Sequence, residues 1–275
     1  MMSPKRTVVD PSKFGAVDRV FDPAALIALL DGAKPMFRAA KSVLLDRLAL
    51  EHASAALDVG CGTGADVVEM ARRMPHGAKA TGVDASEAMI AEASRRAAGS
   101  GAGVLFRLGD ALDLPYPDDA FDVCRMETVL QHLADPLLAL REMARVTRPG
   151  GRVGVLEMDL GTVLLDHPDR AVTQTVLSAN ADSMAQPWMG RQLPRLFREA
   201  GLTGLSVDPI VILSGPENFR AMIGPAVARL REEHVLTAEQ ARDWWSGLSE
   251  REDGDGDGFA AGATVFVVAG TRPTA

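Results

Sequence analysis

Aromatic residues are scarce: 9 Phe, 3 Trp and 1 Tyr in 275 residues. The core therefore has to be built mostly from Ala, Leu, Val and Met. Cysteine is rarer still. The two present, Cys61 and Cys124, cannot form a disulfide framework and lack the spacing and His/Cys partners of a zinc site. No apolar run approaches the roughly 20 residues that span a membrane. Met1–Asp10 carries basic residues with no apolar stretch behind them, so no signal peptide is visible. Lysine is outnumbered by arginine, 5 against 24, a bias that suits a GC-rich genome better than a function. Positive charge is short overall: 29 basic against 37 acidic residues leave −8. A protein that grips phosphate backbones needs a concentrated basic surface, so no nucleic-acid partner is expected. What remains is a soluble protein in a reducing, cytoplasmic setting, with no metal centre and no membrane span. Its expected partner is a small molecule, and a homodimer is left open.

What is there is ordinary globular material, 47 % apolar and 24 % charged. The first fifty residues read as helical. Asp22-Pro23 opens one helix, Gly32 and Pro35 break it, and a second runs from Met36 to Leu50 with Phe37, Ala40, Leu44 and Leu48 on one face. Then strands alternate with helices. Strands are expected at Ala55–Val59, Ala78–Val83, Val104–Leu108, Phe121–Arg125 and Arg152–Met158, with helices between them at Ala65–Met74, Ser86–Ala98 and after Asp135-Pro136. Such alternation implies βαβ units and a parallel sheet over residues 53–160, with any ligand at the carboxyl ends of the strands. Farther on, helices are expected at Arg170–Met184, Arg191–Ala200 and Pro216–Leu248, the last broken at Gly224-Pro225, and strands at Val207–Leu213 and Thr264–Ala269. The run Asp253-Gly-Asp-Gly-Asp-Gly258 imitates the start of an EF-hand loop, but its twelfth position is Thr264 where a bidentate Glu is needed, so a flexible solvated loop is the better reading.

The chemistry gathers at Asp58-Val-Gly-Cys-Gly-Thr-Gly64, where a strand becomes a helix. Its glycines let backbone pass close to a ligand, and the helix start offers free N–H groups. The G-x-G-x-G spacing differs from the dinucleotide fingerprint. Asp58, just ahead of the glycines, would repel a pyrophosphate and suits a ligand with an ammonium group. Asp84 ends the second strand 20 residues after Gly64, where an acid accepts from ribose hydroxyls. Gly109-Asp110-Ala111 ends the third, where an acid can accept from an adenine amino group. The ligand implied has an adenosine part and a cationic part and no phosphate.

This pattern resembles the class I S-adenosylmethionine-dependent methyltransferases, in particular the ubiquinone/menaquinone-type and natural-product group. The matching residues are Leu57–Gly64, Val83–Met89, Gly109–Ala111 with Leu114–Pro117, Phe121-Asp122, Leu130–Pro136 and Arg145–Gly151. The resemblance implies an α/β fold, a Rossmann-like seven-stranded methyltransferase sheet whose last strand is antiparallel. N-terminal helices (residues 1–52) and a helical insert before the last strand (about 215–262) would form a lid on the 53–275 domain. Carried over by position, Asp58, Gly60 and Gly62 face the methionine part of S-adenosylmethionine, Asp84 the ribose, and Asp110 and Ala111 the adenine. Met126 and Gln131 lie near the sulfonium, and Cys61, Thr63, Gly64, Ala85, Met89 and Gly109 complete the cofactor set. The chain departs from the family where relatives often carry a histidine (here Gln131) and small residues (here Arg125-Met126-Glu127).

A base is needed only if the acceptor must lose a proton to attack. His132, after the fourth strand, and His167, in Asp166-His-Pro-Asp169, are the candidates, with Glu127 and Asp159 behind them. His52, His76 and His234 read as surface positions. Phe14, Phe21, Met184, Trp188, Met189, Phe219 and Met222 are expected to line an apolar acceptor pocket under the lid. After the fourth strand the chain reads Arg125-Met126-Glu127-Thr128, without the Asn/Asp-Pro-Pro-aromatic run of nucleic-acid amino-methylating enzymes. The expected reaction is methyl transfer to a small, mostly apolar acceptor such as a quinone or a polyketide- or terpenoid-like natural product, with oxygen ahead of carbon. The alternatives are a cyclase or isomerase that binds the cofactor without transferring methyl, and a cofactor-sensing module without chemistry.

Overall fold

The computed structural model describes residues 22–99, 103–252 and 260–274. Seven strands cross the described chain: β1 (Ala55–Val59), β2 (Lys79–Asp84), β3 (Val104–Leu108), β4 (Phe121–Glu127), β5 (Thr147–Leu165), β6 (Thr203–Leu213) and β7 (Ala261–Thr271). They form one sheet in the order β3-β2-β1-β4-β5-β7-β6. The pairs among β1 to β5 are parallel, and β7 runs antiparallel to both β5 and β6. The expected seven-stranded sheet with an antiparallel last strand is present. The strand order reverses between β1 and β4, and their carboxyl ends therefore flank the crevice where open α/β sheets take ligands.

The helices are α1 (Pro23–Arg47), α2 (Ala65–Arg73), α3 (Glu87–Ala97), α4 (Pro136–Val146), α5 (Arg170–Ala181), α6 (Met189–Glu199), α7 (Pro216–Glu232) and α8 (Ala238–Glu252). Side-chain and proline caps start three of them where expected. Asp22 accepts from the Ala24 N–H ahead of Pro23, Ser86 from Met89, and Asp135 from Leu138 ahead of Pro136. One apolar cluster joins β1, β4 and β5 to α4 and α6 through Met126, Leu140, Met143, Val155, Leu193 and Phe197. A second, on the other sheet face, joins α1 and α2 through Phe37, Leu44, Leu48, Val67, Met70 and Leu156. A third belongs to α5, α7 and α8, packed around Trp244 with Val176, Phe219, Ile223 and Leu248. Among the described residues no helix is long and apolar enough to cross a membrane.

Two expectations fail for the same reason. Gly32 and Pro35 do not break α1, which is continuous from Pro23 to Arg47, and Pro225 sits inside α7. An interior proline costs roughly 3 kcal/mol. The carboxyl half of α1 buries Phe37, Ala40, Leu44, Leu45 and Leu48, at about 1.5–3 kcal/mol for each large side chain, so docking outweighs the local breaker. The strand expected at Arg152–Met158 extends to Thr147–Leu165, because its far end keeps pairing with β7 beyond an irregularity between Asp159 and Leu164.

The docking of α1 is close. A Cβ on Gly154 of β5 would lie 2.7 Å from Leu44 Cδ1 and 2.8 Å from Leu48 Cδ2. Gly154→Ala is therefore expected to lower stability by about 1–3 kcal/mol through overpacking. Chemical denaturation checks this, and an unchanged midpoint would show that α1 is looser than described.

Candidate functional site

The loop between β1 and α2 is shaped by its glycines. Gly60 has φ +71°, and a Cβ there would stand 2.3 Å from Val129 Cγ2, so the loop lies directly on the turn after β4. Gly62 has φ +50°, and among the described residues an added Cβ there would meet Leu30 alone, at 3.9 Å. Here backbone conformation, not space, requires glycine. The N–H groups of Gly60 and Cys61 both donate to Val83 O, at 2.8 and 3.0 Å. Asp84 at the end of β2 accepts from Gly62 N–H at 2.8 Å and from Ser86 N–H at 2.9 Å. The acid expected beside the ribose thus also holds the loop.

The other cofactor candidates sit around this loop in different states. Gly109 donates to Asp84 O at 3.0 Å. Asp110 is exposed and accepts from Leu112 N–H at 2.9 Å, Ala111 is half-buried beside it, and Ala85 is exposed. Thr63 Oγ1 faces Lys34 Nζ at 3.3 Å and Arg96 Nη1 at 3.4 Å. Cys61 is buried, and burial pushes its thiol well up. Met89 is covered by Leu26 of α1. Met126 corrects its expectation: its side chain is wholly buried in the cluster with α4, so only its backbone is left to face a ligand.

Asp58 needs a further correction. It is 2 % exposed and accepts from Arg125 Nη1 at 3.2 Å, so its charge is already spoken for. Arg125, itself 1 % exposed, also reaches Glu127 and lies 3.5 Å from Asp66. Lys41 of α1 bridges Asp66 and Glu127 at 2.8 Å each. Burial pushes Asp58 up to about 7 against the pull of Arg125. Burial also works upward on Asp66, yet Arg125 and Lys41 bring it down to about 2. Arg125 is the residue that sequence reasoning missed. Its signal was a lone cation in an apolar strand, in parallel register with Asp58. A second residue missed is Glu157 on β5, fully buried, whose Oε1 accepts from Leu130 N–H at 2.6 Å. Burial pushes its carboxyl up to about 8.

The base candidates separate. His132 is half-buried on the 3-10 turn Leu130–His132, its Nε2 3.2 Å from Gln131 Nε2. His167 is tied down: Nδ1 accepts from Asp169 N–H at 3.0 Å, Nε2 is 2.8 Å from Trp244 O, and the ring stacks on Trp244. With both nitrogens engaged it cannot take a substrate proton as it stands, which corrects the expectation. Asp159 is bound by Arg191, and Glu127 by Arg125 and Lys41. His52, His76 and His234 are exposed. The expected apolar pocket is not gathered. Met189 is buried in the sheet cluster and Phe219 in the helical one, Met222 packs beside the latter, Met184 is half-buried, and Trp188 is 52 % exposed under Arg191. Phe14, Phe21 and the Asp253–Gly258 run lie outside the described residues.

Comparisons with known proteins agree with this geometry. A family model described as a methyltransferase domain matches residues 57–155. Methyltransferase GfsG of Streptomyces halstedii is 30 % identical over 207 residues, 75 % of this chain and 69 % of that protein. A demethylmenaquinone methyltransferase of Halalkalibacterium halodurans is 32 % identical over 181 residues, 60 % of this chain and 74 % of that protein. The crystal structure of YcgJ from Bacillus subtilis shares the fold, with a TM-score of 0.60 at 19 % identity over 86 % of this chain and all of that one. The chain spans 50 % and 43 % of the first two curated relatives it matches, an uncharacterized protein in transposon Tn4556 of Streptomyces fradiae and the UbiE C-methyltransferase of Bdellovibrio bacteriovorus. The chain belongs to the class I S-adenosylmethionine-dependent methyltransferases.

Two measurements test the buried charges. Arg125→Met strands Asp58, Asp66 and Glu127, and it is expected to cost roughly 3–5 kcal/mol in chemical denaturation. A variant as stable as the parent would show that Arg125 does not balance them. Asp58 and Glu157, raised to about 7 and about 8, keep protons when folded that the unfolded chain releases at about 4. Their stabilisation is complete below that pH and is lost as pH rises through their folded values. Calorimetry should show Tm falling from about pH 5 to about pH 8, with Glu157→Gln flattening the upper part of the decline. A level profile in the parent would contradict the burial of both acids.

Proposed function

We propose that this chain transfers a methyl group from S-adenosylmethionine to a small, mostly apolar acceptor in the cytoplasm, a quinone or a polyketide- or terpenoid-like compound and not a nucleic acid. Oxygen is the first choice of acceptor atom and carbon the second. One observation carries the reading. The bare loop 60–64 is folded on to Asp84 at 2.8 Å, with Asp110 exposed at the end of the adjacent strand. The relatives named as a demethylmenaquinone methyltransferase and as methyltransferase GfsG support the quinone and natural-product classes.

The residues present fit the cofactor. Gly60 and Gly62 leave backbone bare for its methionine part, Asp84 has acceptor capacity for ribose hydroxyls, and Gly109, Asp110 and Ala111 would frame the adenine. When bound, S-adenosylmethionine supplies a methyl carbon already activated by its sulfonium. The protein then has to position the acceptor and remove its proton. His132 is the proposed base, on the turn that presses against Gly60. The α5, α7 and α8 module is the proposed lid. Asn218 of α7 donates to Gly32 O at 3.2 Å, which links that module to the helix lying over the glycine loop.

The test is a labelled-methyl assay with purified protein and a panel of quinone, phenolic and polyketide acceptors. Labelled product should form together with S-adenosylhomocysteine. Rearranged but unlabelled product would replace this reading with a cyclase. Asp84→Ala should weaken cofactor binding in calorimetry by about 10- to 100-fold, since it removes acceptors for both the ribose and the loop. Unchanged affinity would move the ribose site elsewhere.

A further inference from the structure

The turn after β4 is held in place from outside. Thr128 has φ +52°, left-handed backbone that a β-branched residue keeps only where its surroundings over-determine it. Its N–H donates to Leu156 O at 2.8 Å. Val129 presses on Gly60 from one side. Beneath the turn lies Glu157, with no exposed surface. Its Oε1 accepts from Leu130 N–H at 2.6 Å, and the N–H groups of Val129 and Gln131 also favour its charge. Among the described residues Oε2 has no hydrogen-bond partner, and neither has Gln131 Oε1 in the same turn.

We propose that Glu157 is a positioning residue for methyl transfer: its carboxyl fixes the 129–132 turn and thereby places Gln131 and His132 beside the glycine loop. The inference rests on the methyl-transfer reading for its kinetic arm alone. Stability does not explain an acid here, because a buried carboxyl without a cation is costly and an apolar side chain would fill this place within β5 more cheaply. Arg125 is engaged by Asp58, Asp66 and Glu127, and Arg191 of α6 by Asp159. Among the described residues, the charge of Glu127 acts on Glu157 from β4, and His132 stands in the turn itself. Burial raises the Glu157 carboxyl to about 8, so near neutrality it is mostly protonated, with Oε2 free of any donor to carry the proton. As pH rises through that value the carboxylate grips the three N–H groups harder, because charge-assisted hydrogen bonds are the stronger kind.

Two readouts on the intact chain test this. The ring resonances of His132, assigned by their loss in His132→Gln, should move in NMR with a step near pH 8 that disappears in Glu157→Gln. This arm needs no acceptor. In the kinetic arm, Glu157→Gln should lower kcat by about 10- to 100-fold, the scale of a small misplacement. It should also remove an alkaline inflection from the kcat profile and leave cofactor affinity within about twofold. Identical His132 titrations in parent and variant would overturn the proposal. So would a fall in kcat matched by equal losses of cofactor affinity and Tm, because that is what a merely structural residue does. A His132 step that depends on Glu157, with no acceptor methylated, supports the hold of Glu157 on the 129–132 turn and counts against the methyl-transfer reading instead.

Discussion

A guanidinium shut away from water must be surrounded by carboxylates, and in this chain Arg125 meets that demand at the point where the sheet changes direction. Asp58 is the penultimate residue of β1, Asp66 stands in the first turn of α2, and Glu127 ends β4. The glycine loop runs from Asp58 to Asp66, so both of its ends close on one side chain. Lys41 adds α1 to the same set through Asp66 and Glu127. Four elements already joined by strand pairing and apolar packing are thus also tied to one another beneath the bare backbone.

Such a network is a poor source of stability, since desolvating ions costs about as much as their attraction returns. Apolar residues of similar size could fill the space at no loss. What ions offer instead is geometry, because they tolerate few arrangements. Three carboxylates share two cations here, which leaves one negative charge in excess. The two acids respond differently: Asp66 is held low by Arg125 and Lys41, whereas burial pushes Asp58 upward. The location agrees with the chemistry, because the crevice between β1 and β4 is where a positively charged sulfonium nucleoside would sit.

Much of this was legible in the residues. β1 and β3 fall on Ala55–Val59 and Val104–Leu108 as expected, because short apolar runs between turn signals leave little freedom. The glycine loop and its strand-end acids were readable from spacing. The failures share a cause, which is that tertiary contacts overrule local signals. Gly32 and Pro35 are genuine breakers, yet α1 passes through them because its carboxyl half is buried on β5 and β7. His167 looked like a base beside two aspartates, but its partner Trp244 is 77 residues away. Asp58 looked open to a ligand, and only its register against Arg125 revealed otherwise. Met126 was misjudged because alternation turns it away from the two residues that flank it.

That alternation gives the residues at the end of β4 a common meaning. Consecutive strand residues face opposite sides of a sheet. Arg125 and Glu127 therefore look toward α1 and α2 and join the ion network, while Met126 packs under α4. Gln131 follows on a turn whose amides rest on Glu157 from the neighbouring strand. These residues thus build one place, the ligand-side end of β4, from both faces. A change on one face alone would leave the glycine loop gripped by Arg125 on one side and pressed by Val129 on the other in mismatched positions. The two faces thus meet on the same loop, and its geometry depends on both.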